Sequence, residues 1–383
     1  MTRDPAALDL LLVGAFPFPL PFGSQVLAGG MARALARRGH AVRLATYGHG
    51  EGDGPEGVER VRPPALGRLG VLRSGPSPDR PLQDLLLLRA VRRTLAARPP
   101  DVIVAHHVEA VGVALAARRL AGLDVPVLYV CHTSLETELP DWVPGRLGGI
   151  AARAGALLDA GVARTADGAL ALSPDGARHL RDVGARRVWQ VPPGVEPDEV
   201  RGGDAEAAHA RWDLGDRPWV LYTGNLDRYQ DLDLLVEAMA SLPEAGLLVL
   251  TRDDPGDRFA AVPPDRLRVV RERGLDDLRD ALAAAAVACV PRQVCPGFPM
   301  KVLNLLAAGV PVVCAAATAP PVEGVLPVGG RDPAAFAGAL RAALAAPAMR
   351  ARLGQAAARA IAARWSWTAR ARELEEVLRQ LAP

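Results

Sequence analysis

The chain has 383 residues, about half of them hydrophobic, and a formal net charge of +2. This length predicts two domains with full cores, and the near-neutral balance gives no argument for nucleic acid as a partner. The four cysteines, at positions 131, 289, 295 and 314, form neither a C-x-x-C pair nor a metal-ligand spacing, so we expect a reduced, cytoplasmic setting without a bound metal.

The first half of the chain alternates apolar strands with helical stretches. Residues 8–15 are too short and lack the basic flank of a signal peptide, so 10–14 is interpreted as a first buried strand. A loop at 15–24 and a helix from about 25 to 38 lead to a strand at 41–46, which predicts a βαβ opening. Further strands are predicted at 58–61, 102–105, 125–130, 168–172 and 187–191.

A second alternation follows a linker at 192–196 and the polar stretch 198–207. Strands are predicted at 219–222, 246–250, 267–270, 287–290, 311–314 and 325–328, with helices at 232–240 and 275–284. Asp332 is predicted to cap a helix that begins at Pro333, and the helical tail breaks near 365–368. The pattern predicts two doubly wound α/β halves in tandem, with the ligand bound between them.

The three rarest polar residues fall in two short segments. Lys301 is the only lysine, and Asn225 and Asn304 are the only asparagines, within 222–231 and 291–308. A GC-rich coding sequence explains the scarcity but not this clustering. Each segment is predicted to run from a strand through a turn into a helix, and such turns line the ligand crevice of layered α/β folds. We therefore expect the two turns to hold a negatively charged, hydroxyl-rich ligand.

In the later segment, a cation lies where the helix dipole favours an acid. Lys301 is on the first turn of a predicted helix, which is reasonable if an anion lies in front of it. Arg292 leaves the preceding strand, and Asn304 follows Lys301 by three residues, on the same helix face. Arg292 and Lys301 are predicted to hold a diphosphate and Asn304 a sugar hydroxyl; simple exposure on a surface helix is the alternative.

In the earlier segment, Gly224 ends a strand and allows a ligand to approach the backbone. Asn225, Arg228 and Gln230 are predicted to contact phosphate or sugar, with a solvated turn as the alternative. Asp231 is expected to cap the next helix, which explains the pair it forms with Asp233 better than a D-x-D metal motif does.

These motifs resemble those of retaining glycosyltransferases of family 4, which have the GT-B fold. The resemblance rests on Gly224-Asn-Leu, on Pro296-Gly-Phe-Pro and on an A-x-G-x-P-V-V frame that ends at Val313. The usual arginine and lysine of the first turn are Asn225 and Gln230 here, and the two signature glutamates are Pro296 and Asn304. A branch with P-(L/M)-K before the helix is more similar, and there Arg292 and Lys301 would supply the missing cations.

The resemblance implies two doubly wound Rossmann-like domains facing a central cleft, with a C-terminal helix crossing back to the first domain. Residues 1–193 would bind the acceptor, 194–364 the nucleotide-sugar donor, and 365–383 would form the returning helix. The implied reaction moves a sugar from a nucleotide diphosphate to a hydroxyl acceptor with retention, without a metal or any cofactor besides the donor. The acceptor could be a glycan, a lipid-linked compound or a small molecule.

The same resemblance assigns roles to individual residues. Gly23, with Ser24 beside it, would approach the donor phosphates, and His132, at a strand end, would touch the donor sugar, unless it only caps the next segment. The implied catalytic residues are His132, Arg292 and Lys301. The implied donor-binding residues are Gly23, Ser24, Gly224, Asn225, Arg228, Gln230, Gly297, Phe298, Pro299, Met300 and Asn304.

Other polar residues follow the same strands. His106 and His107 are adjacent, so their rings are expected to diverge and at most one to reach the ligand. Glu136 and Glu138 either contact the acceptor or are solvated, with solvation favoured for Glu138.

Two other functions stay open. A sugar-nucleotide epimerase of the same fold would need acids near the sugar, and a non-catalytic nucleotide-sugar-binding protein would explain the missing signature residues. A dinucleotide dehydrogenase is disfavoured because no G-x-G-x-x-G follows the first strand. Peripheral contact with the inner face of a membrane is a further hypothesis, carried by two arginine clusters at 33, 37 and 38 and at 89, 92 and 93, although solvated helix faces explain them more simply.

Overall fold

The chain folds into two compact units, each built around one parallel β-sheet. The computed structural model describes residues 7–20, 22–50, 52–66, 79–143, 147–294 and 298–382, except for the side chain of Asp141. The first unit contains the described residues up to 194, Phe298 and the residues from 367 onwards; the second contains 195–294 and Pro299–Ser366.

The first unit has seven strands in the order β3-β2-β1-β4-β5-β6-β7. Its elements are β1 (Asp9–Gly14), α1 (Gly23–Arg37), β2 (Ala41–Ala45), β3 (Val58–Val61), α2 (Arg80–Ala97), β4 (Val102–His106), α3 (His107–Ala121), β5 (Val127–Cys131), α4 (Leu135–Trp142), α5 (Gly148–Thr165), β6 (Gly168–Ala171), α6 (Pro174–Asp182) and β7 (Val188–Gln190). The strands pair in parallel, for example Gly14 with His106 in the register of β1 and β4.

Helices cover both faces of this sheet because its central strands are apolar on both sides. Leu10 and Leu12 of β1 belong to one core, and Leu11 and Val13 belong to the other. The alternation follows from the two-residue period of a strand. A continuous apolar run is therefore the correct sequence signature for β1.

The second unit has six parallel strands in the order β10-β9-β8-β11-β12-β13. Its elements are α7 (Ala205–Trp212), β8 (Trp219–Thr223), α8 (Leu232–Ala240), β9 (Gly246–Thr251), β10 (Leu267–Arg271), α9 (Leu275–Ala284), β11 (Val287–Val290), α10 (Met300–Ala307), β12 (Val312–Ala315), β13 (Val325–Val328), α11 (Pro333–Ala345) and α12 (Pro347–Ala360). A π-helical turn at Ile361–Trp365 follows, and the last helix, α13 (Trp367–Leu381), belongs to the first unit.

The last helix packs on the first unit through tight contacts at two glycines, Gly30 on α1 and Gly194 after β7. A Cβ added to Gly30 would lie 2.2 Å from the indole nitrogen of Trp367, and one at Gly194 would lie 2.7 Å from the Cα of Trp367. Further along α13, the buried carboxylate of Glu375 binds Arg38, at the end of α1. The predicted return of the C-terminal helix to the first half is thus confirmed.

Two details of the predicted elements are wrong, each for a local reason. The stretch interpreted as a polar linker contains the start of α7, where the Asp204 carboxylate accepts the Ala207 N–H at 2.9 Å and caps the helix. The helical tail from Pro333 divides at Ala346, because the residue before Pro347 is forced out of the helical region. The cap at Asp332 is confirmed, since its carboxylate accepts from Ala334 and Ala335.

Within the part of the chain that the structure describes, no helix is both long and apolar enough to cross a bilayer.

Candidate functional site

Each sheet has one point at which the chain reverses the direction in which strands are added. That point lies between β1 and β4 in the first unit and between β8 and β11 in the second. Ligands of doubly wound folds bind beyond the carboxyl ends of the strands at such points. Several of the residues predicted from the sequence fall into two clusters, one at each of these positions.

In the second unit, Gly224 directly follows β8 and has a φ of +126°, a conformation that favours glycine. A Cβ at this position would lie 2.8 Å from Nζ of Lys301, which is on the first turn of α10. The ammonium group therefore occupies the space that any other residue at 224 would fill.

Neutral groups of the earlier segment surround the ammonium. Lys301 donates to Oε1 of the buried Gln230 at 3.1 Å and lies 4.7 Å above the ring of Tyr222. The Tyr222 hydroxyl donates to the carbonyl of Asn225 at 2.5 Å, which leaves its oxygen lone pairs for Lys301, 3.5 Å away. Burial raises the pKa of Tyr222 well above its usual value, so the phenol stays protonated.

The side chains of the turn hold one another in fixed orientations. The Gln230 amide nitrogen donates to Oδ1 of Asn225 at 2.6 Å, so its oxygen faces the ammonium. The Asn225 amide nitrogen lies 2.6 Å from both the Tyr229 hydroxyl and the Asp227 carboxylate. The two residues that replace the family's usual cations therefore form a single hydrogen-bonded unit.

Arg292 connects the later segment to the same turn. Its guanidinium carbon lies 4.6 Å from the centre of the Tyr229 ring, and its Nε donates to the carbonyl of Val294. Thr318 donates to the Arg292 carbonyl at 3.0 Å and so holds this backbone. The structure thus brings the two predicted segments together around Tyr222, Tyr229 and Lys301.

Other predicted residues stand apart from these contacts. Arg228 is exposed in the short 3-10 turn Arg228–Gln230, and Asn304 is half-buried on α10, where its carbonyl accepts from Ala308. Pro299 and Met300 form the start of α10, whereas Phe298 packs on the core of the first unit. Gly297 lies outside the described residues.

Asp231 is at the predicted N-cap position, but its carboxylate does not cap α8. Its φ of +52° is left-handed, and the carboxylate accepts from Nε of Arg331 at 3.0 Å instead. The prediction of a capping side chain is wrong because this ion pair takes the carboxylate.

In the first unit, three histidines form one cluster at the ends of β4 and β5. Nδ1 of His106 lies 2.9 Å from Nε2 of His132, and the rings of His107 and His132 stack with centroids 4.1 Å apart. Nε2 of His107 also lies 2.6 Å from the hydroxyl of Ser24, in the first turn of α1. The structure thereby joins the predicted residues Ser24 and His132 through His107.

The expectation that the adjacent histidines diverge is wrong. His107 has a φ of +72°, which is uncommon for a residue with a side chain. This left-handed turn at the start of α3 lets both rings contact His132. The sequence gives no signal for it, since histidine is not a residue that marks positive φ as glycine does.

All three histidines are neutral at neutral pH. Burial lowers the pKa of His106 to about 3 and the pKa of His132 well below its usual value, with a smaller contribution from neighbouring histidines. Burial also lowers the pKa of His107, against the opposing effect of Glu109. Because the loss of hydration outweighs the effect of the nearby carboxylate, the protonated forms are disfavoured.

Burial also identifies the tautomer of His132. Nε2 of His106 is buried without a hydrogen-bond partner among the described residues. An unpaired buried N–H costs more than an unpaired lone pair, so the proton of His106 is on Nδ1 and is donated to His132. His132 must then carry its own proton on Nδ1, as a hydrogen-bond donor.

Sequence reasoning missed a group of polar residues near this cluster. The buried Tyr47, just after β2, donates to Asp84 at 2.6 Å, and Arg80 binds Glu109 at 2.9 Å. Burial raises the pKa of Asp84, despite the hydrogen bond from Tyr47. Tyr47 could have been found, because it follows a predicted strand; Arg80 and Asp84 on α2 carry no such signal.

The expectation that the Glu138 carboxylate is solvated is wrong. This carboxylate is half-buried, and burial raises its pKa, whereas Glu136 is exposed. Gly23, by contrast, begins α1 with open space where a Cβ would stand, so packing does not require glycine there.

In the described ranges, no group of three or more His, Cys, Asp or Glu residues is arranged to hold a metal ion.

Two family models match the chain, one in each half. Residues 23–199 match "Glycosyltransferase Family 4", and residues 217–346 match "Glycosyl transferases group 1".

Curated relatives match over almost the whole chain. The D-inositol 3-phosphate glycosyltransferase of Xylanimonas cellulosilytica is 30% identical, over 99% of this chain and 97% of the relative. The protein of the same name from Acidothermus cellulolyticus is 29% identical, over 95% of this chain and 88% of the relative.

Solved structures share the fold at low identity. Sucrose-phosphate synthase from Thermosynechococcus elongatus has a TM-score of 0.80 and 22% identity, over 97% of this chain and 99% of that one. Anabaena HepE in complex with UDP and glucose has a TM-score of 0.74 and 16% identity, over 98% of this chain and 100% of that one. The predicted fold class, with two Rossmann-like domains of the GT-B type, is confirmed.

Proposed function

Because the chain belongs to glycosyltransferase family 4, we propose that it transfers a hexose from a nucleotide-diphosphate sugar to a hydroxyl acceptor with retention of anomeric configuration. Family membership makes it an enzyme, a glycosyltransferase with a nucleotide-sugar donor. The hexose, the retention and the roles of individual residues are the proposed part.

The observation that carries the proposal is the position of Lys301. Its ammonium lies against the backbone of Gly224, at the carboxyl end of β8, where a doubly wound fold binds its ligand. Glycosyl transfer leaves negative charge on the departing diphosphate, and a preorganised cation stabilises that charge as it forms. Lys301, Arg292 and the first N–H groups of α10 are proposed to hold the diphosphate.

Gln230 and Tyr222 act on the ammonium rather than on the donor. Each places an oxygen within 3.5 Å of Nζ, and neither can carry a negative charge here: one is an amide, and the other is a phenol that burial keeps protonated. These two contacts orient the ammonium without neutralising its charge.

His132 is proposed to contact the transferred sugar. A buried, neutral imidazole whose Nε2 accepts from His106 presents Nδ1–H as a donor of fixed direction. Such a group can bind a sugar hydroxyl without adding positive charge beside a ring that becomes positive in the transition state. His106 and His107 are positioning residues for it.

The acceptor is proposed to bind at the carboxyl end of the first sheet. Arg80, Asp84 and Glu109 supply both donors and acceptors there, as a compound with several hydroxyl groups requires. The curated relatives are named for D-inositol 3-phosphate, and a polyol or its phosphate is therefore the first acceptor to test.

A donor panel tests the proposal. Thermal unfolding is measured with UDP-, GDP-, ADP- and dTDP-sugars, since a ligand that binds only the folded state raises its stability. Lys301→Ala should remove the shift given by the preferred donor, whereas Arg258→Ala, at an exposed position of the same unit, should keep it. An equal shift in both variants would contradict the proposed donor site.

Product analysis separates this function from its rivals. Incubation of the preferred donor with inositol, inositol phosphate and simple sugars should give an α-linked product from an α-linked donor. An epimerised donor would indicate an epimerase. Binding with neither product would favour a non-catalytic sugar-nucleotide-binding protein, in which Asn225 and Gln230 mark a lost active site.

A further inference from the structure

The outer face of α5 exposes more large apolar side chains than a helix in contact with water alone requires. Leu157 is 75% exposed, Ile150 63%, Leu147 58% and Leu158 51%, and Trp142 at the end of the adjacent α4 is 45% exposed. Leu147, at the N-cap of α5, lies three residues before Ile150, Leu157 follows seven residues later, and Leu158 is next to it. At 100° per residue, these four positions share one side of the helix. Contiguous exposed apolar surface of this kind marks an interaction site.

The opposite side of α5 is already committed to the first unit. Gly155, Asp159 and Ala163, four residues apart, are its buried positions. A Cβ at Gly155 would lie 2.4 Å from the Leu135 carbonyl oxygen, and the Asp159 carboxylate accepts from the Ser134 hydroxyl at 2.8 Å. The helix therefore cannot rotate to bury its leucines in its own core.

Arginines accompany the apolar side chains on the outer face. Arg153 and Arg164 are exposed, whereas the acidic residue of α5, Asp159, is buried on the inner side. Eleven positions separate the arginines, which is three helical turns, or about 16 Å. Arg164 also donates through Nε to the Val183 carbonyl at 2.9 Å. This hydrogen bond orients the guanidinium, and a neutral carbonyl does not cancel its charge.

The Glu136 N–H donates to the Asp159 carboxylate, so α4 begins on the buried side of α5. On α5 itself, the outer face is thus apolar and cationic.

We propose that the outer face of α5, with Trp142, binds the surface of an anionic lipid bilayer. Leucine and isoleucine side chains enter the boundary of the acyl chains, while arginines keep their guanidinium groups among the phosphates. Tryptophan is enriched at this level of a membrane because it is apolar with one polar N–H.

Charge argues against a second copy of the chain as the occupant. Antiparallel pairing of two α5 helices centred on Leu157 and Leu158 would set Arg153 opposite position 162 of the other copy, within one helical turn of that copy's Arg164. Parallel pairing would set each arginine beside itself. Both arrangements bring like charges together on a face without exposed acids on α5.

The basic clusters predicted from the sequence are less suited to this role. Arg38 binds the buried Glu375, so that cluster serves the packing of α1 and α13. Arg89, Arg92 and Arg93 on α2 are exposed and remain the competing membrane contact. The two locations can be tested separately.

The experiment is flotation of the full chain with vesicles of phosphatidylcholine alone and with 40% phosphatidylglycerol, at low and at moderate salt. We expect binding to the anionic vesicles that salt weakens. Leu157→Asp should lower the partition coefficient about tenfold, and Arg153→Gln about fivefold, by loss of an apolar anchor and of one cation. Leu85→Asp, at a position 50% exposed on α2, should leave binding unchanged.

Circular dichroism and thermal unfolding are the controls that each variant is folded. Loss of binding in Leu85→Asp but not in Leu157→Asp would overturn the proposal in favour of α2. Absence of binding to either vesicle would overturn it outright. A dimer in light scattering that Leu157→Asp dissociates would assign the face to a second copy and also overturn it.

Discussion

The two clusters occupy equivalent positions in their sheets, but their functional groups differ in charge: one contains the basic side chain of Lys301, and the other contains neutral imidazoles. In the cluster of the second unit, a neutral amide and a neutral phenol contact the ammonium of Lys301. The cluster of the first unit removes charge, because burial keeps His106, His107 and His132 neutral. The comparison indicates that one topology can place either a basic side chain or neutral imidazoles beyond the carboxyl ends of its strands.

The largest effect is expected for Lys301, in the cluster of the second unit. Lys301→Ala should lower kcat about 100- to 1000-fold, as loss of one group that stabilises a developing anion does. Lys301→Arg should recover only part of the rate, because a planar guanidinium does not fit the space beside Gly224. Steady-state kinetics with the preferred donor measures both; a wild-type rate in Lys301→Ala would show that the two clusters do not differ as proposed.

The next largest effect is expected at Gly224, which leaves space for the ammonium of Lys301. Gly224→Ala should lower the free energy of unfolding by about 1–3 kcal/mol and raise the donor KM, because its methyl group meets Nζ and its φ is strained. Gly215→Ala is the matched control, since φ there is +63° and nothing lies within 4 Å of the added Cβ. Urea unfolding and kinetics measure both variants. A raised KM in both, or in neither, would contradict the account of Gly224.

The neutral histidine cluster should make the free energy of unfolding depend on pH. The unfolded chain protonates its histidines near pH 6.5, whereas folded His106 does so at about 3, so the unfolded state binds more protons between these values. The free energy of unfolding should therefore fall as pH falls below about 6.5, by up to about 1.4 kcal/mol per pH unit for each such histidine.

His132→Asn should reduce that slope, because burial lowers the pKa of this ring. Urea titrations at pH 8, 6.5 and 5 measure it. His179 has a pKa raised by Asp159 and acts with the opposite sign, but it is present in every variant and cancels. An unchanged slope in His132→Asn would mean that folding does not lower the pKa of this ring.

The smallest effect concerns the contact between Arg292 and Tyr229. Tyr229→Leu should raise the donor KM about fivefold, because a stacked guanidinium at a partly exposed site contributes about 1 kcal/mol. Tyr229→Phe keeps the ring and removes only the hydroxyl near Asn225, so it should raise KM less. Equal effects of both substitutions would assign the role to the hydroxyl and not to the stacking.

The layered fold follows from the sequence because its signals are local. Apolar runs such as those of β1, β8 and β11 are long enough to identify buried strands, and the alternation with helices then restricts the topology. The helix start at Pro333 was predictable for the same reason, since a capping aspartate and a proline are adjacent.

The arrangement of the predicted site residues depends on contacts between distant segments rather than on local signals. Lys301 and Gly224 were identified from composition and a strand end, but their proximity, which puts Nζ 2.8 Å from a Cβ built at position 224, depends on where the start of α10 lies relative to the end of β8. The histidine cluster depends on the positive φ of His107, which no neighbouring residue in the sequence indicates. Contacts between distant segments and strained backbone are therefore what the sequence leaves open.

The packing of Trp367 on Gly30 has a consequence for biosynthesis. The core of the first unit contains residues from β1 through Val191 and also Ala371, Leu374 and Leu378 of α13. During translation the entire second unit emerges before these residues do, so the part of α1 that α13 covers stays exposed until α13 has been synthesised. A nascent chain that stops before Trp367 should therefore bind chaperones and be open to proteases at α1, and extension through α13 should end both.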